Sequence, residues 1–299
     1  MSVTPGLHPT SLPRPAAVLA LTKPITWFPP MWAFACGAVS SGTPLLAHWA
    51  LVVLGLILAG PVVCGMSQAA NDWCDRHVDA INEPDRPIPS GRVPGRWGLW
   101  VALAMTAASL ALAAALGAWG LAATTLAVAA AWAYSAEPVR LKRSGWWGPG
   151  IVGLSYETLP WLTGAAVLAG ALPRPEVLLV AVLYGLGAHG IMTLNDFKAL
   201  EGDRETGVAS LPATLGPDRA ARIACLVMAA PQVIVACLLA AWDRPWHGLT
   251  VALLLAIQVR AMGPLLADPR GRAPWYNAVG VSLYALGMMV AALGLRGLG

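Results

Sequence analysis

Charge is what this chain has least of. Only 11% of its 299 residues are Asp, Glu, Lys or Arg, against 57% hydrophobic residues, and the mean hydropathy is +0.64. A soluble domain carries roughly a quarter charged residues, so a water-soluble globule is excluded. Paired cysteines are also missing. The five present (Cys36, Cys64, Cys74, Cys225 and Cys237) are odd in number and irregularly spaced, which argues for packing rather than a disulfide framework or a thiolate metal cluster. No cleavable signal pattern precedes the first apolar run. Pro5, Pro9, Pro13 and Pro15 stand there instead, and the first span is expected to act as the insertion signal. The pI near 8.9 calls for no nucleic acid, because topology accounts for the basic residues.

Long apolar runs are abundant. Spans are expected at about 20–40, 45–69, 97–117, 120–136, 149–170, 177–195, 220–241, 247–266 and 276–295. The fourth is short, so eight spans is the alternative. With the N-terminus inside, 16 of the 19 Lys and Arg residues fall in inner segments, and only Arg174, Arg244 and Arg296 fall outside. That asymmetry follows the positive-inside rule. The expected fold is therefore all-α: a polytopic membrane bundle of nine transmembrane helices, with a cytoplasmic tail over 1–19, a membrane domain over 20–299 and the active site at the cytoplasmic side. Ten of the fourteen tryptophans lie near span ends, as interface anchors do. Trp32, Trp132 and Trp161 lie deeper and read as core packing.

The scarce charge is concentrated. The stretch from Asn71 to Arg92, NDWCDRHVDAINEPDRPIPSGR, holds five acidic residues: Asp72, Asp75, Asp79, Glu83 and Asp85. On a helix, Asn71, Asp72, Asp75 and Asp79 fall within about a quarter of the circumference. Crowded carboxylates need a positive partner, and all-oxygen sites suit Mg²⁺, which completes its shell with phosphate oxygens and water. The plain alternative is a solvated acidic loop. A second copy weighs against it. Residues 195–203, NDFKALEGD, repeat the spacing as Asn195, Asp196 and Asp203, with Ala199 where the first copy has Asp75. Glu201 adds a charge on the other side of an ideal helix, unless Gly202 breaks it. The two copies read as halves of one site for Mg²⁺ and a phosphorylated ligand.

Basic residues flank these acids. Pro84, Pro87 and Pro89 stiffen the segment that carries Arg86 and Arg92, and guanidinium forks match phosphate geometry. Arg96 reads as a topology signal only. The inner loop from Tyr134 to Arg143 adds a phenol and three cations, of which Lys142 is the candidate phosphate partner. Within the spans, polar groups are costly and call for a reason. Gln68 is expected to make an interhelical hydrogen bond, whereas Glu157 and His189 are expected to contact ligand.

Asn71-x-x-x-Asp75-x-x-x-Asp79, the second acidic motif and the Tyr134-Ser135…Leu141-Lys142 loop resemble the UbiA superfamily of intramembrane prenyltransferases. PITWFPPMWAFACGAVSSG (24–42), the first acidic stretch, YETLPWLTG (156–164) and NDFKALEGDRETGVASLP (195–212) are similar to its chlorophyll and bacteriochlorophyll synthase branch. The resemblance runs from about residue 20 to the C-terminus. It implies nine helices and an Mg²⁺ ion held between the motifs by Asp72, Asp75, Asp79, Asp196 and Asp203. Asn71 would act with them in catalysis, and Arg86, Arg92, Lys142, Tyr134, Asn195, Glu201, Glu157 and His189 would bind substrate. The donor would be geranylgeranyl or phytyl diphosphate, and the acceptor the propionate of a (bacterio)chlorophyllide. His189 would be a candidate axial ligand to the central metal of that acceptor. A photosynthetic bacterial inner membrane, its lipids and pigment-protein assembly factors would be its surroundings. Ala199 departs from the aspartate of many superfamily members. A quinone-ring or other aromatic acceptor, a divalent-cation transporter, lipid phosphotransfer and a non-catalytic pigment protein are the rival readings. A transporter site belongs near the midplane, whereas the acids here crowd two loops. The glycine- and arginine-bearing motif of lipid phosphotransferases is absent.

Overall fold

A chain this apolar must satisfy its backbone hydrogen bonds internally, and helices do so without partner strands. The computed structural model describes residues 12–298, and among these it shows helices and no strand. Helix α1 (Pro15–Leu21) is followed by α2 (Phe28–Ser40) and α3 (Trp49–Ile57). A π-helical turn, Leu58–Cys64, joins α3 to α4 (Gly65–Asn82). Pro61 lies inside that turn, where its missing N–H favours a widened register. Next come α5 (Trp97–Ala115), α6 (Gly117–Ser135) and α7 (Trp147–Gly153). A second π turn, Leu154–Thr158, leads into α8 (Leu159–Ala169). Helix α9 (Pro175–Asn195) runs through a tight turn, Asp196–Ala199, into α10 (Leu200–Thr206). The short α11 (Leu211–Leu215) precedes α12 (Pro217–Ala241), α13 (Pro245–Ala267) and α14 (Pro269–Arg296).

Among the described residues, six helical stretches are long and apolar enough to cross a membrane: Leu45–Asn82, Trp97–Ala115, Pro175–Glu205, Pro217–Ala241, Pro245–Ala267 and Pro269–Arg296. The other three expected runs are helical but broken or less apolar. Residues 20–40 are divided between α1, a turn at Pro24–Thr26 and α2, with Lys23 at positive φ between them. Residues 120–135 fall in the alanine-rich α6, and Ala136 caps its end. Residues 149–170 carry the second π turn. The expected tail boundary at residue 19 falls inside α1, whose Ala17 and Leu21 are buried in a core with Met66, Ala69 and Ala102. Residues 1–11 of that tail, with Pro5 and Pro9, lie outside the described residues.

The largest core joins α9 with α12, α13 and α14 around Tyr184, Tyr284 and Met228. Helices α2 and α8 pack backbone to backbone. A Cβ on Gly37 would run into the Trp161 carbonyl, and one on Gly164 into the Phe34 carbonyl. The three deep tryptophans are packing residues. Trp161 is buried, stacks on Tyr184 at 5.7 Å and donates to Ser40 Oγ at 3.1 Å. Trp32 donates to the Ala285 carbonyl, and Trp132 to Thr106 Oγ1. The five cysteines are free; Cys36, Cys64 and Cys225 are buried, as a packing role requires, whereas Cys74 is half-buried and Cys237 is exposed. Arg174 and Arg244 donate to the Leu295 and Gly294 carbonyls, capping the C-terminal end of α14.

Candidate active site

Asn71, Asp75 and Asp79 recur every four residues along α4, so they share one face. That face forms one wall of a polar cavity of about 920 Å³. Asp196, Lys198 and Ala199 from the turn after α9, with Asp203 from α10, form the opposite wall. The two acidic motifs therefore meet across one space. The basic loop closes it. Gly145 N donates to the Ala209 carbonyl at 2.8 Å, and Ala209 N to the Arg143 carbonyl at 3.0 Å. These two bonds tie the loop to the segment following the second motif. A Cβ on Gly145 would lie 2.6 Å from Leu211 N, so only glycine allows this approach. Tyr134, Arg140 and Lys142 reach the cavity from the same side.

The first-motif carboxylates are paired with bases. Arg140 Nη2 donates to Asp75 Oδ1 at 3.0 Å, and Lys142 Nζ pairs with Asp75 Oδ2. Arg86 Nη1 lies 2.8 Å from Asp79 Oδ2, while its Nε and Nη2 hold the Glu83 carboxylate in a fork. Burial works against the Arg86 charge, but Glu83, Asp79 and Asp72 outweigh it and hold the pKa above the usual arginine value. Lys142 shows the opposite balance. Desolvation prevails over the attraction of Asp75, so its pKa sits below that of an ordinary lysine.

Several expected site residues lie elsewhere. Asp72 is buried at 1% exposure and does not line the cavity. Its Oδ1 meets Lys23 Nζ at 2.7 Å and lies 3.5 Å from Arg86 Nη1, the nitrogen that also pairs with Asp79. Arg92 turns back onto its own loop, donating to the Asp85 carbonyl and Ser90 Oγ. Glu201 points outward to Arg270 at 3.1 Å, the side that an unbroken helix assigns it. His189 lines neither cavity; its ring packs 5.5 Å from that of Trp146.

Sequence reasoning treated Lys23 and Arg140 as topology charges, and the structure gives both an acidic partner. Their signal was weak but present. Each stands beside a proline-bearing break (Lys23-Pro24, Pro138-Val139-Arg140) in an inner segment.

A second, apolar chamber of about 480 Å³ adjoins the polar cavity. Asn71, Tyr134 and Met192 line both. Its walls come from α2, α4, α6, α8, α9 and α14, among others, with Phe34, Leu58, Ala127 and Ile191 exposed to its interior. Gln68 donates to Tyr156 Oη at 2.9 Å, the interhelical bond expected for it. Glu157, from the second π turn, is buried, lines this chamber and leaves Oε2 without a hydrogen-bond partner. Asn195 also lines it, accepting from Asn277 Nδ2 at 2.7 Å.

The donor set suits a hard divalent cation in kind. Asp75, Asp79, Asp196, Asp203 and the Asn71 amide supply oxygen from two sides of one cavity. They are not drawn into a shell. Among the described residues, no three or more His, Cys, Asp and Glu side chains stand together in a ready-made ion shell, so Asp75, Asp79, Asp196 and Asp203 would have to close around the ion.

Comparison with known proteins agrees with this geometry. The UbiA prenyltransferase family model matches residues 26–283. The chain is 63% identical to the bacteriochlorophyll synthase 33 kDa chain of Cereibacter sphaeroides, covering 100% of this chain and 99% of that one. It is 38% identical to the chloroplastic chlorophyll synthase of Arabidopsis thaliana, covering 92% of this chain and 73% of that one. In fold it is similar to a UbiA homologue from Archaeoglobus fulgidus bound to DMAPP and Mg²⁺. The TM-score is 0.70 at 20% identity, over 91% of this chain and 99% of the other.

Proposed function

The chain belongs to the UbiA prenyltransferase family, and on that premise we propose that it transfers an isoprenyl group from its diphosphate to the propionate carboxylate of bacteriochlorophyllide. This is the esterification step of bacteriochlorophyll synthesis. The observation that carries the reading is the junction of the two cavities. A polar, acid- and base-lined space meets an apolar chamber at Asn71, Tyr134 and Met192, which matches a ligand with a charged head and a hydrocarbon tail. The 63% identity over the full chain supports the acceptor.

Asp75, Asp79, Asp196 and Asp203, with Asn71, would hold Mg²⁺, which when bound supplies positive charge to the diphosphate. Arg86, Arg140 and Lys142 face the same space. As the donor's C1–O bond breaks, charge grows on the leaving diphosphate, and these three cations stabilise it. The acceptor carboxylate is already ionised at neutral pH. One of its oxygens forms the new C–O bond, the diphosphate leaves with its own oxygen, and no proton need be removed. A general base is therefore unnecessary, in keeping with the polar cavity, whose lining contains no histidine among the described residues. The apolar chamber would house the tail and keep water from the electron-poor allylic carbon.

The protein is an integral membrane protein. Nine spans, with both acidic motifs on the cytoplasmic side of a photosynthetic bacterial inner membrane, are the topology we propose for it. Charge asymmetry supports that orientation. The likeness to chlorophyll synthases makes chlorophyllide the competing acceptor.

The test supplies isolated membranes with geranylgeranyl or phytyl diphosphate, Mg²⁺ and one acceptor at a time, and identifies the product by mass. Esterified bacteriochlorophyllide is expected. Product formed only from a quinone-ring acceptor would overturn the reading.

A further inference from the structure

The two halves of the polar cavity are built on one pattern but balanced differently. In the first half, Asp75 supplies a carboxylate, and Arg140 and Lys142 are paired with it. At the corresponding position of the second half stands Ala199, exposed on the cavity wall. Beside it, Lys198 is also exposed and also lines the cavity. Arg86, Arg140, Lys142 and Arg143, the other basic residues of that lining, all have carboxylate partners. Among the described residues Lys198 makes no ion pair, although Asp196 and Glu83 feel its charge. The second half thus presents a cation in no ion pair, next to the position where its twin has a carboxylate and it has Ala199.

We infer that Lys198 and Ala199 form the subsite for the acceptor's carboxylate, the substrate itself supplying the group that the second motif lacks. The inference rests on the reaction proposed above, in which the acceptor is an ionised propionate. Physical logic favours the arrangement. An aspartate at 199 would add a further negative charge to a wall that already carries Asp196 and Asp203, directly against the incoming propionate, and like charges brought together in a partly desolvated site repel. Alanine removes the repulsion and leaves room. Lys198 provides a point charge on a flexible stem, which suits a carboxylate that must keep one oxygen free for bond formation. Asp196 and Asp203 flank the subsite on the same wall. The propionate would then lie between the diphosphate-facing bases of the first half and the lysine of the second.

The experiment combines kinetics with pigment binding, using the full-length protein. Two acceptor probes are compared: bacteriochlorophyllide with its propionate free, and the same pigment with that propionate blocked as a methyl ester. Binding is followed by pigment absorbance. Wild type is expected to bind the free acid more tightly than the ester, and Lys198→Met to lose that preference. The change expected is about fivefold, the scale of one partly exposed ion pair. Ala199→Asp is expected to raise KM for the free acid about tenfold or more and to leave KM for the isoprenyl diphosphate within about twofold. Ala199→Asn, of equal bulk without the charge, should show a much smaller effect. If Lys198→Met keeps the acid-over-ester preference, or if both Lys198→Met and Ala199→Asp raise KM only for the diphosphate, the subsite is overturned. A wild type that esterifies pigment yet binds acid and ester alike overturns the subsite and leaves the reaction standing. A wild type that esterifies no pigment overturns the reaction beneath it.

Discussion

Arg86 Nη1 lies 2.8 Å from Asp79 Oδ2, seven residues back along the chain. The proline-bearing loop after α4 folds Arg86 back over the last turn of the helix, and the same guanidinium grips Glu83 with its other two nitrogens. The pairing holds the acid and the base of the site ready on one short segment. Neither has to be recruited from elsewhere when a charged ligand arrives.

Replacing Arg86 should therefore do more than remove a surface charge. Arg86→Ala is expected to lower turnover by about a hundredfold or more, the scale of losing one stabilising donor to a developing oxyanion. Arg86→Lys should recover only part of this, because an ammonium cannot make the fork. Initial rates at saturating acceptor, normalised to protein in the membrane, check it. Equal rates for wild type and Arg86→Ala would remove Arg86 from the account.

Asp72 and Lys23 form a pair that joins the loop after α1 to α4 across 49 residues of sequence. Because Asp72 is buried away from the cavity, its loss should register first as instability. Asp72→Leu alone leaves the Lys23 charge without its partner and takes a carboxylate from beside Arg86 Nη1, which keeps Asp79. The double variant Lys23→Met, Asp72→Leu should regain part of the melting temperature lost by the single one, a coupling of about 1–3 kcal/mol. Thermal unfolding of the detergent-solubilised protein measures it. Strict additivity of the two changes, with abolished turnover at unchanged melting temperature, would instead put Asp72 among the metal ligands.

The nine-span topology has its own check. After the five native cysteines are replaced, a cysteine at Ser90 should react with an impermeant thiol reagent only from the cytoplasmic side. One at Pro173 should react only from the opposite side. Labelling of both from the same side would mean that the number of crossings between them is even.

Much of this was legible in the sequence. Long apolar runs dictate helices, and the repeated acidic spacing placed two half-sites that do meet. The limits are physical. One-face counting grouped Asp72 with Asn71, Asp75 and Asp79, and Arg86 Nη1 does lie near both Asp79 and Asp72, but the pattern does not show that Lys23, 49 residues away along the chain, also pairs with Asp72. The partners of Asp75 lie 65 and 67 residues away along the chain, at Arg140 and Lys142, a distance no local pattern encodes. The π turn that carries Glu157 shifts the helical phase, so an ideal 3.6-residue projection misplaces its neighbours. His189 drew notice as a costly polar group in an apolar run, yet the ring it meets is Trp146.

The central claim is that the acceptor's carboxylate oxygen attacks the isoprenyl carbon while the C1–O bond of the diphosphate breaks. Oxygen labelling tests it directly. Bacteriochlorophyllide carrying ¹⁸O in both propionate oxygens is incubated with membranes, Mg²⁺ and unlabelled geranylgeranyl diphosphate, and the ester is analysed by mass spectrometry. The account predicts that both labels remain in the product, one of them bridging to the isoprenyl group. An ester that has exchanged one ¹⁸O for ¹⁶O would show that the carboxyl group was activated and attacked instead, and would contradict it.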